Sequence, residues 1–453
     1  MSASEERLLA RQVVSRVRER SAYAHETLDA LLARKEVSRT SRAFITRLAY
    51  GTISCRGTVD AAVADHLAAD VRLESVVSDC LALSAYEILF MRTPARAAVN
   101  EGVELVKAVS PRAGSLANAV LRRLTERADA FPWGDPDTDL AVLARLHGHP
   151  EWMAQMLSDE LGRDAAAGVM AANNEPAPLF LAHMPFRSEF DEVMAELDRA
   201  DCGPHAVGPQ GCIRCDVAAS ALSSSVLSAG RAIAMDGGAQ VAGTVVPLSP
   251  GCSVIDIGAG RGGKSLLIAA RAHRAGHEAG ITALDNHEFK LNALQDSVSQ
   301  VGAQGIVALL GDASDPSTVG IAPESADAVL VDAPCSGLGT MRRHPDRRWR
   351  ARPEEIEALA ALDAKLLRTA ASLVKPGGFV VYSTCTVVRR ENEQVIGAFL
   401  ASNEGSGFRL DQLGESEIPA EWNHFLSAEG WFQSLPEPGG PDGHFVARLV
   451  RLS

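Results

Sequence analysis

Apolar positions recur at two different spacings along the chain, and the change falls near residue 240. Over residues 1 to about 130 they recur every three or four residues, as at Leu116, Val120 and Leu124. That period predicts amphipathic helices throughout the segment. From about residue 241, short apolar runs such as SVIDIG and GITALD alternate with helical segments of 10–20 residues. This alternation predicts a largely parallel, doubly wound sheet.

Turn-forming residues between the two patterns suggest where the domains divide. The stretch FPWGDPDTD, residues 131–139, is typical of a linker. We therefore expect an all-α domain over residues 1–135, a mixed α/β segment over 136–235 and an α/β domain over 236–453. The predicted protein is multidomain, with helices first and a Rossmann-like fold at the C-terminal end.

Composition and charge narrow the class of protein. The 453 residues are 46% hydrophobic and 22% charged, no apolar run reaches membrane length, and the N-terminus lacks the apolar core of a secretory signal. Eight cysteines are too few for a disulfide scaffold, so we expect a cytoplasmic protein with reduced thiols. The net charge of −13 argues against a basic nucleic-acid binder, but residues 1–130 hold 19 Lys and Arg against 16 Asp and Glu, a net of +3.

A glycine-rich turn follows the first strand of the C-terminal region, in VIDIGAGRGGKS at 254–265. Gly258, Gly260 and Gly263 satisfy G-x-G-x-x-G, and a helix is predicted to begin near Lys264. Glycines allow close approach of a ligand, and a helix N-terminus offers unpaired N–H groups. The motif alone is weak, because a tight strand-to-helix turn has the same composition.

Four successive predicted strands end in an acid: Asp256, Asp285, Asp312 and Asp332. Ligands of open α/β sheets bind beyond the carboxyl ends of the strands. One such acid is commonly a helix N-cap, whereas four at equivalent positions favour a site. An acid at the second strand, here Asp285, can bind ribose hydroxyls, which fits NAD and an adenosine-containing methyl donor equally.

Two cysteines lie on the same predicted edge, Cys335 after the fourth strand and Cys385 after the fifth. A cysteine is most often a small buried hydrophobic residue. Their shared position favours chemistry instead, since a thiolate near cationic groups is activated, and arginines flank both cysteines in the sequence.

These motifs resemble a known family. Residues 230–453 resemble the methyltransferase domain of the Sun/RsmB (NOP2/Sun) RNA cytosine-5 methyltransferases, through DAPCSGLGTMRRHPDRRWR, KPGGFVVYSTCT and PDGHFVARLVRL. Residues 1–130 resemble a NusB-like all-α, RNA-binding domain through SAYEILFMRTPARAAVNEGVELVK and SLANAVLRRL. Two departures stand out: Arg261 replaces the proline of the family's C-A-A-P-G-G-K, and the family's L-R-V-N segment is replaced by the sequence LAHM at 181–184.

The resemblance implies a class I S-adenosyl-L-methionine-dependent methyltransferase that makes 5-methylcytosine in RNA, with 16S rRNA as the expected substrate. It implies that Cys385 attacks carbon 6 of the cytosine, that Cys335 assists release and that Asp332 contacts the base. The residues expected to bind the methyl donor are Gly258, Ala259, Gly260, Arg261, Gly262, Gly263, Lys264, Asp285, Asp312 and Asp332. The expected RNA contacts are Arg342, Arg343, Arg347, Arg348 and Arg350. We expect a monomer that takes part in rRNA processing and does not bind membranes.

Three alternatives remain open from the residues alone. Cys202, His205, Cys212 and Cys215 have a spacing that zinc sites use, although burial is the more ordinary explanation and the resemblance implies no metal. A non-catalytic RNA-binding or antitermination factor is an alternative function for the chain. An NAD(P)-dependent oxidoreductase would use the glycine turn but leave both thiols without a role.

Overall fold

The computed structural model describes residues 3–20, 22–33, 35, 37–68, 71–415 and 417–452. They form two compact units. The helical unit comprises Met1–Pro176 together with Met341–Arg350, and the α/β unit comprises Ala177–Thr340 together with Ala351–Ser453. The structure therefore groups residues 136–176, which the sequence analysis assigned to a separate segment, with the helices. None of the helices in the described ranges combines the length and apolarity needed to cross a membrane.

The helical unit confirms the all-α prediction for the N-terminal region. Its helices are α1 (Ala3–Arg20), α2 (Ala24–Leu32), α3 (Arg39–Ser54), α4 (Arg56–Ala64), α5 (Ser75–Leu89), α6 (Ala95–Val109), α7 (Gly114–Arg127), α8 (Leu140–His147), α9 (Glu151–Leu161) and α10 (Arg163–Ala172). Local sequence sets several ends: the Ser38 hydroxyl accepts from Ser41 N at the start of α3, and Asp139 caps α8. Gly148 then ends α8 in the left-handed conformation, with φ of 65°.

Helix α5 lies in the core of this unit. Its buried residues include Leu81 and Leu83, together with the charged Glu87. The Arg7 guanidinium forms a two-pronged pair with the Glu87 carboxylate at 2.7 and 2.9 Å, so neither buried charge is left unpaired.

The strands of the α/β unit form two sheets. They are β1 (Leu179–His183), β2 (Pro204–Ala206), β3 (Cys212–Cys215), β4 (Ala232–Ala234), β5 (Ser253–Ile257), β6 (Gly280–Asp285), β7 (Ile306–Leu310), β8 (Ala326–Asp332), β9 (Val374–Thr384), β10 (Phe408–Leu410), β11 (Phe432–Gln433) and β12 (Phe445–Arg451). The small sheet has the order β2-β3-β1-β4 and is antiparallel. The large sheet has the order β10-β12-β9-β8-β5-β6-β7, and β11 pairs with β12.

The five strands β5 to β9 of the large sheet run parallel, whereas β12 runs antiparallel to β9. From β5 the chain continues to β6 and β7 on one side, then returns to place β8 and β9 on the other. Such a reversal opens a crevice at the carboxyl ends of the strands on either side of it. The predicted Rossmann-like, largely parallel fold is therefore confirmed.

The remaining helices, in chain order, are α11 (Phe190–Arg199), α12 (Ala218–Leu222), α13 (Ser225–Ser228), α14 (Gly237–Thr244), α15 (Gly263–Arg274), α16 (Glu288–Val301), α17 (Arg347–Arg350), α18 (Pro353–Leu373) and α19 (Glu393–Leu400). Of these, α17 belongs to the helical unit. Alternate strand residues face opposite layers: Val254 of β5 packs in the core that contains α14 and α15, and Ile255 in the core that contains α18 and α19. Both faces of the parallel sheet are therefore covered, which explains its continuous apolar strands.

Candidate active site

The predicted site residues follow the carboxyl ends of adjacent parallel strands. Asp256 lies within β5, Asp332 ends β8, and the cysteines Cys335 and Cys385 follow β8 and β9. Because β5, β8 and β9 are neighbours in the sheet, these residues meet at one edge, beside the point where the strand order reverses. Asp285 ends β6 on the other side of β5.

The glycine turn takes a path that only glycine follows without strain. Gly258 has φ of 75°, and a Cβ at this position would lie 2.5 Å from the backbone oxygen of Asp332. Its N–H donates to Leu284 O of the neighbouring strand at 2.9 Å. Ala259 and Gly262 are buried, Arg261 is exposed and helix α15 begins at Gly263. The turn therefore presents backbone, with Arg261 as its exposed side chain, in front of a helix N-terminus.

The Asp285 carboxylate holds this turn in place. One oxygen accepts a hydrogen bond from Gly260 N at 3.0 Å, and the other accepts one from His287 N at 2.9 Å. Asp312, two residues after β7, is exposed, and its carboxylate accepts from Ser314 N at 2.8 Å, which lowers the pKa of Asp312. Both acids lie at the edge where the sequence predicted them.

Lys264 and Asp332 form an ion pair across the turn. The Lys264 Nζ lies 2.7 Å from Asp332 Oδ2, and only 12% of the lysine side chain is exposed. Burial by itself lowers the pKa of Lys264, but the Asp332 carboxylate outweighs it, so the pKa is raised and the lysine stays charged. The pair fixes the direction of the acid that ends β8.

The two cysteines are in contact. Cys335 Sγ lies 3.4 Å from Cys385 Sγ, and the backbone N–H of Cys385 donates to Cys335 Sγ at 3.2 Å. Both residues are half-buried. At this distance the thiols share a proton more readily than they carry two negative charges, because two adjacent thiolates repel.

The charges around the two thiols differ. The hydrogen bond to Cys385, burial and the nearby Glu391 carboxylate all raise the pKa of Cys335 well above its ordinary value. Lys264 lies within electrostatic reach of Cys385. The carboxylate therefore favours a protonated thiol at Cys335, whereas the charged group near Cys385 is a cation.

Sequence reasoning missed several buried polar residues that support the site. Ser265 Oγ donates to Asp256 Oδ2 at 2.5 Å, and burial raises the pKa of Asp256 to about 7. Glu391 lies fully buried behind the cysteine loops and binds Ser336, the residue after Cys335. The serine at the end of the glycine turn was a usable signal, whereas nothing near Glu391 in sequence pointed to Ser336.

The arginines after Cys335 lie in the segment 341–350, which belongs to the helical unit. Arg348 is fully buried there, and its guanidinium donates to the backbone oxygens of Ser54, His147, Gly148 and Asn173 at 3.1–3.3 Å and to Asn174 Oδ1 at 3.0 Å. Arg348 is thus turned away from solvent, and the structure argues against the prediction that it contacts RNA.

Three helix ends explain how a buried guanidinium is tolerated. Ser54 is the last residue of α3, His147 is the last residue of α8, and Asn173 directly follows α10. Carbonyls at helix C-termini lack intrahelical partners and carry the negative end of the helix dipole. Arg348 supplies donors to these carbonyls, and burial lowers its pKa only to about 10, so it remains a cation.

The other arginines of segment 341–350 differ in their exposure and contacts. Arg342 is buried, whereas Arg343 and Arg347 are half-buried. Arg350 donates to Ala22 O at 2.7 Å and lies over the Tyr23 ring at 4.6 Å. Arg343 and Arg347 stay predictions as RNA contacts, while the contacts of Arg350 tie it to the helical unit.

The arginines that follow Cys385 are paired at the surface: Arg389 with Glu393 at 2.6 Å and Arg390 with Glu357 at 2.8 Å. The cation identified near a thiol is therefore Lys264, which comes from the glycine turn rather than from the flanking arginines.

The possible zinc residues are dispersed in the small sheet. Cys202, Cys212 and Cys215 are buried, and burial raises the pKa of each thiol. His205 is exposed, and its Nε2 lies 2.7 Å from Asp216 Oδ2. Within the ranges that the structure describes, no group of three or more His, Cys, Asp or Glu side chains is placed to hold a metal ion.

Known protein families match both parts of the chain. Residues 244–450 match the family described as 16S rRNA methyltransferase RsmB/F, and residues 4–126 match the NusB family. The ribosomal RNA small subunit methyltransferase B of Enterobacter sp. is 30% identical over 369 residues, which cover 81% of this chain and 80% of the relative. The protein of the same name from Escherichia coli is 28% identical and covers 98% of both chains.

A solved structure resembles the fold over nearly its full length. The crystal structure of PH0851 superposes with a TM-score of 0.78 and covers 98% of both chains at 23% sequence identity. At that identity the likeness shows the fold alone.

Proposed function

Because the chain belongs to the RsmB/F family of 16S rRNA methyltransferases, we propose that it methylates carbon 5 of a cytosine in small-subunit ribosomal RNA through a covalent cysteine adduct. The observation that carries the proposal is the 3.4 Å contact between Cys335 and Cys385 at the ends of adjacent strands. A methyltransferase that acts on an electron-rich atom needs no nucleophilic thiol. Two thiols beside an acid support chemistry on a ring carbon that must first be activated.

The residues at the edge of the sheet fit S-adenosylmethionine, the methyl donor of this family. The bare backbone of the turn from Gly258 to Gly263 leaves room for a ligand in front of α15, and the carboxylate of Asp285 suits a ribose diol. Lys264 would neutralise the donor's carboxylate, and Asp312 would accept from its adenine amine. When bound, the donor supplies an electrophilic methyl group.

The proposed role of Cys385 is to add to carbon 6 of the cytosine. A carbon–sulfur bond forms, and the displaced electron pair moves into the ring, which makes carbon 5 nucleophilic. Asp332, held by Lys264, contacts the ring edge and favours protonation of the ring nitrogen there, so that the electron pair enters a positively charged ring. After carbon 5 is methylated, its proton leaves to a base, the carbon–sulfur bond breaks and the Cys385 thiolate is released.

Cys335 is assigned to the release step. Its raised pKa keeps it protonated while Cys385 attacks, so the pair provides one nucleophile and one proton-carrying group. The base that accepts the carbon 5 proton is a water molecule that Cys335 orients, because a protonated thiol cannot take up a second proton. The target base must leave its stack to reach both sulfurs, and an unpaired segment of RNA is therefore the preferred substrate.

The helical unit offers a separate surface for the RNA backbone. A groove of about 910 Å³ between α6 and α7 is lined by Arg96, Lys107 and Arg122, with the polar Asn100 and Asn118 between them. Arg96 and Arg122 are exposed and suit phosphates, whereas Lys107 is paired at 2.8 Å with Glu104, which also lines the groove. We assign the RNA-positioning role to this groove instead of to Arg348.

The test is to map 5-methylcytosine in 16S rRNA from cells with and without this protein, using bisulfite sequencing and mass spectrometry. The proposal requires one or more sites that disappear on deletion and return with the wild-type gene but not with Cys385→Ala. Methylation of another atom or base would overturn the carbon 5 assignment. Tight NADH binding with none of the methyl donor would instead support an oxidoreductase.

A further inference from the structure

Bonded to the loop that carries Cys335 lies a carboxylate that the proposed chemistry does not use. Glu391 is fully buried in a short turn before α19. Its Oε1 accepts a hydrogen bond from the backbone N–H of Ser336 at 2.6 Å, and its Oε2 lies 2.6 Å from Ser336 Oγ. Ser336 directly follows Cys335 in the chain.

The same network reaches the second cysteine loop. Ser336 Oγ lies 2.9 Å from the Oγ1 of Thr386, the residue directly after Cys385. Glu391 is therefore linked through Ser336 to the residue that follows Cys385. The loops come from different strands, and backbone hydrogen bonds also join them, from Ala333 N to Ser383 O at 2.8 Å and from Gly339 N to Cys385 O at 3.0 Å.

Neighbouring residues hold Glu391 itself in place. The Tyr382 hydroxyl donates to Glu391 O at 2.6 Å. Asn392 donates from Nδ2 to Thr386 O at 3.1 Å and accepts from Thr384 Oγ1 at 2.6 Å, so the turn that carries Glu391 is bonded directly to the loop that carries Cys385. These hydrogen bonds thus fix the position of the Glu391 carboxylate relative to the cysteine loops.

We propose that Glu391 is a positioning residue for the reaction: by binding Ser336, which in turn contacts Thr386, it helps to set the separation of the Cys335 and Cys385 sulfurs. The inference rests on the proposed cysteine mechanism for its effect on turnover. It does not depend on that mechanism for its effect on geometry, since the sulfur–sulfur contact exists in the protein alone. Glu391 touches neither substrate nor methyl donor and acts only through the two loops.

Two substitutions separate hydrogen bonding from charge. In Glu391→Gln the amide oxygen still accepts from Ser336 N–H, and the amide nitrogen can donate to Ser336 Oγ, whose proton then turns to Thr386. In Glu391→Ala, Ser336 loses this partner. Glu393→Ala, two residues further along the chain at the start of α19, removes a glutamate that pairs with Arg389 and serves as the matched control.

The first measurement is the rate at which diamide, which takes up two hydrogen atoms, oxidises Cys335 and Cys385 to a disulfide, followed by peptide mass mapping. The second is kcat and KM for rRNA methylation. Misplacing reacting groups by about 1 Å can cost about 100-fold in rate, so we expect Glu391→Ala to lose about 100-fold in kcat with KM within about threefold. Its cross-linking should slow by at least about tenfold, while Glu391→Gln and Glu393→Ala stay near wild type.

Wild-type rates of cross-linking and turnover in Glu391→Ala would overturn the proposal, and so would equal losses in the alanine and glutamine variants. If Glu391→Ala does not fold, Ser336→Ala removes a single hydroxyl of the network and must slow both rates, or the proposal fails. The two readouts also separate this inference from the proposed function. If cross-linking is slower in Glu391→Ala but the wild-type protein makes no 5-methylcytosine, the positioning role of Glu391 is supported and the proposed function is wrong.

Discussion

The two units of the molecule each bury a cation, and the surroundings of the two cations differ in kind. In the helical unit, Arg348 donates only to backbone and amide oxygens. In the α/β unit, Lys264 pairs with the Asp332 carboxylate in a site that also contains two thiols. Neutral oxygens cannot exchange protons near neutral pH, whereas carboxylates and thiols can. The first cation therefore stabilises the fold, and we propose that the second takes part in the chemistry.

The difference also corrects an inference from sequence proximity. Arg348 follows Cys335 by 13 positions in an arginine-rich stretch, which made it a candidate RNA contact. Three helix C-termini in the helical unit provide a stronger site for its guanidinium than solvent does, because each brings carbonyls that no helix N–H can satisfy. A positive residue near a catalytic motif is thus not by itself part of the site.

Replacing the lysine should cost activity more than stability. Lys264→Met removes the partner of Asp332 and the cation near Cys385, and we expect kcat to fall by about 100-fold or more, as when a donor to developing charge is lost. Lys375→Met is the matched control: Lys375 pairs with Asp327 at 2.7 Å near the opposite end of β8. Equal kcat values for the two variants would remove Lys264 from the reaction.

Replacing Arg348 should cost stability more than activity. Arg348→Met removes the buried donor of Gly148 O and one of the donors of Ser54 O and His147 O, which Trp349 and Asn174 also bond, and we expect a loss of about 1–3 kcal/mol in the free energy of unfolding of the helical unit. Denaturant unfolding measures it, with the exposed Arg42→Met as control. Affinity for S-adenosylmethionine should not change. An unaltered midpoint of unfolding would mean that the carbonyls need no buried cation.

If the buried arginine serves the fold, RNA-binding charge in the helical unit must lie elsewhere. Arg96→Glu combined with Arg122→Glu should weaken RNA binding, and each lost phosphate contact should lower the slope of log affinity against log salt by about one. Arg39→Glu combined with Arg42→Glu makes the same charge change on α3, outside the groove. If the slope of log affinity against log salt changed equally in both double variants, the groove would have no specific role in RNA binding.

The smallest expected effect is a contrast in pH dependence. In the α/β unit, burial and then the charge of Glu391 raise the pKa of Asp363 to about 8. The folded state thus binds this proton more tightly than the unfolded state, and the contribution of Asp363 to stability falls as pH rises from about 4 to 8. Asp363→Asn should flatten that slope and raise the melting temperature of the α/β unit at pH 8 by a few degrees.

The stability of the helical unit should change with pH in the opposite direction. Burial and then the Arg348 charge lower the pKa of His147 to about 4, below its unfolded value of about 6.5. Between these values the unfolded state binds more protons, so stability rises with pH across the window. Melting curves from pH 4 to 8 check both slopes, and His147→Gln should reduce the second, to which the buried His149, whose pKa is also lowered by burial, contributes as well. If the stability of both units changed with pH in the same direction, the predicted contrast would be wrong.

The parallel strands explain what the sequence could predict. Apolar runs ending in Asp256, Asp285 and Asp332, with Cys335 and Cys385 just beyond, necessarily meet at one edge once the strands are known to be parallel. The places of Arg348 and Glu391 could not be predicted in this way. Arg348 binds Ser54 and Glu391 binds Ser336, each more than 50 positions away in the sequence. The spacing of apolar and polar residues does not reveal such long-range contacts.

The most direct test of the cysteine assignment is to incubate Cys335→Ala and Cys385→Ala separately with methyl donor and rRNA and to look for a protein–RNA species in denaturing electrophoresis. A carbon–sulfur bond survives detergent. With Cys385 as nucleophile and Cys335 needed for release, Cys335→Ala should accumulate a methylated covalent adduct, and Cys385→Ala should form none and transfer no methyl group. An adduct trapped in Cys385→Ala, with none in Cys335→Ala, would reverse the two roles and contradict the electrostatic distinction between the sulfurs.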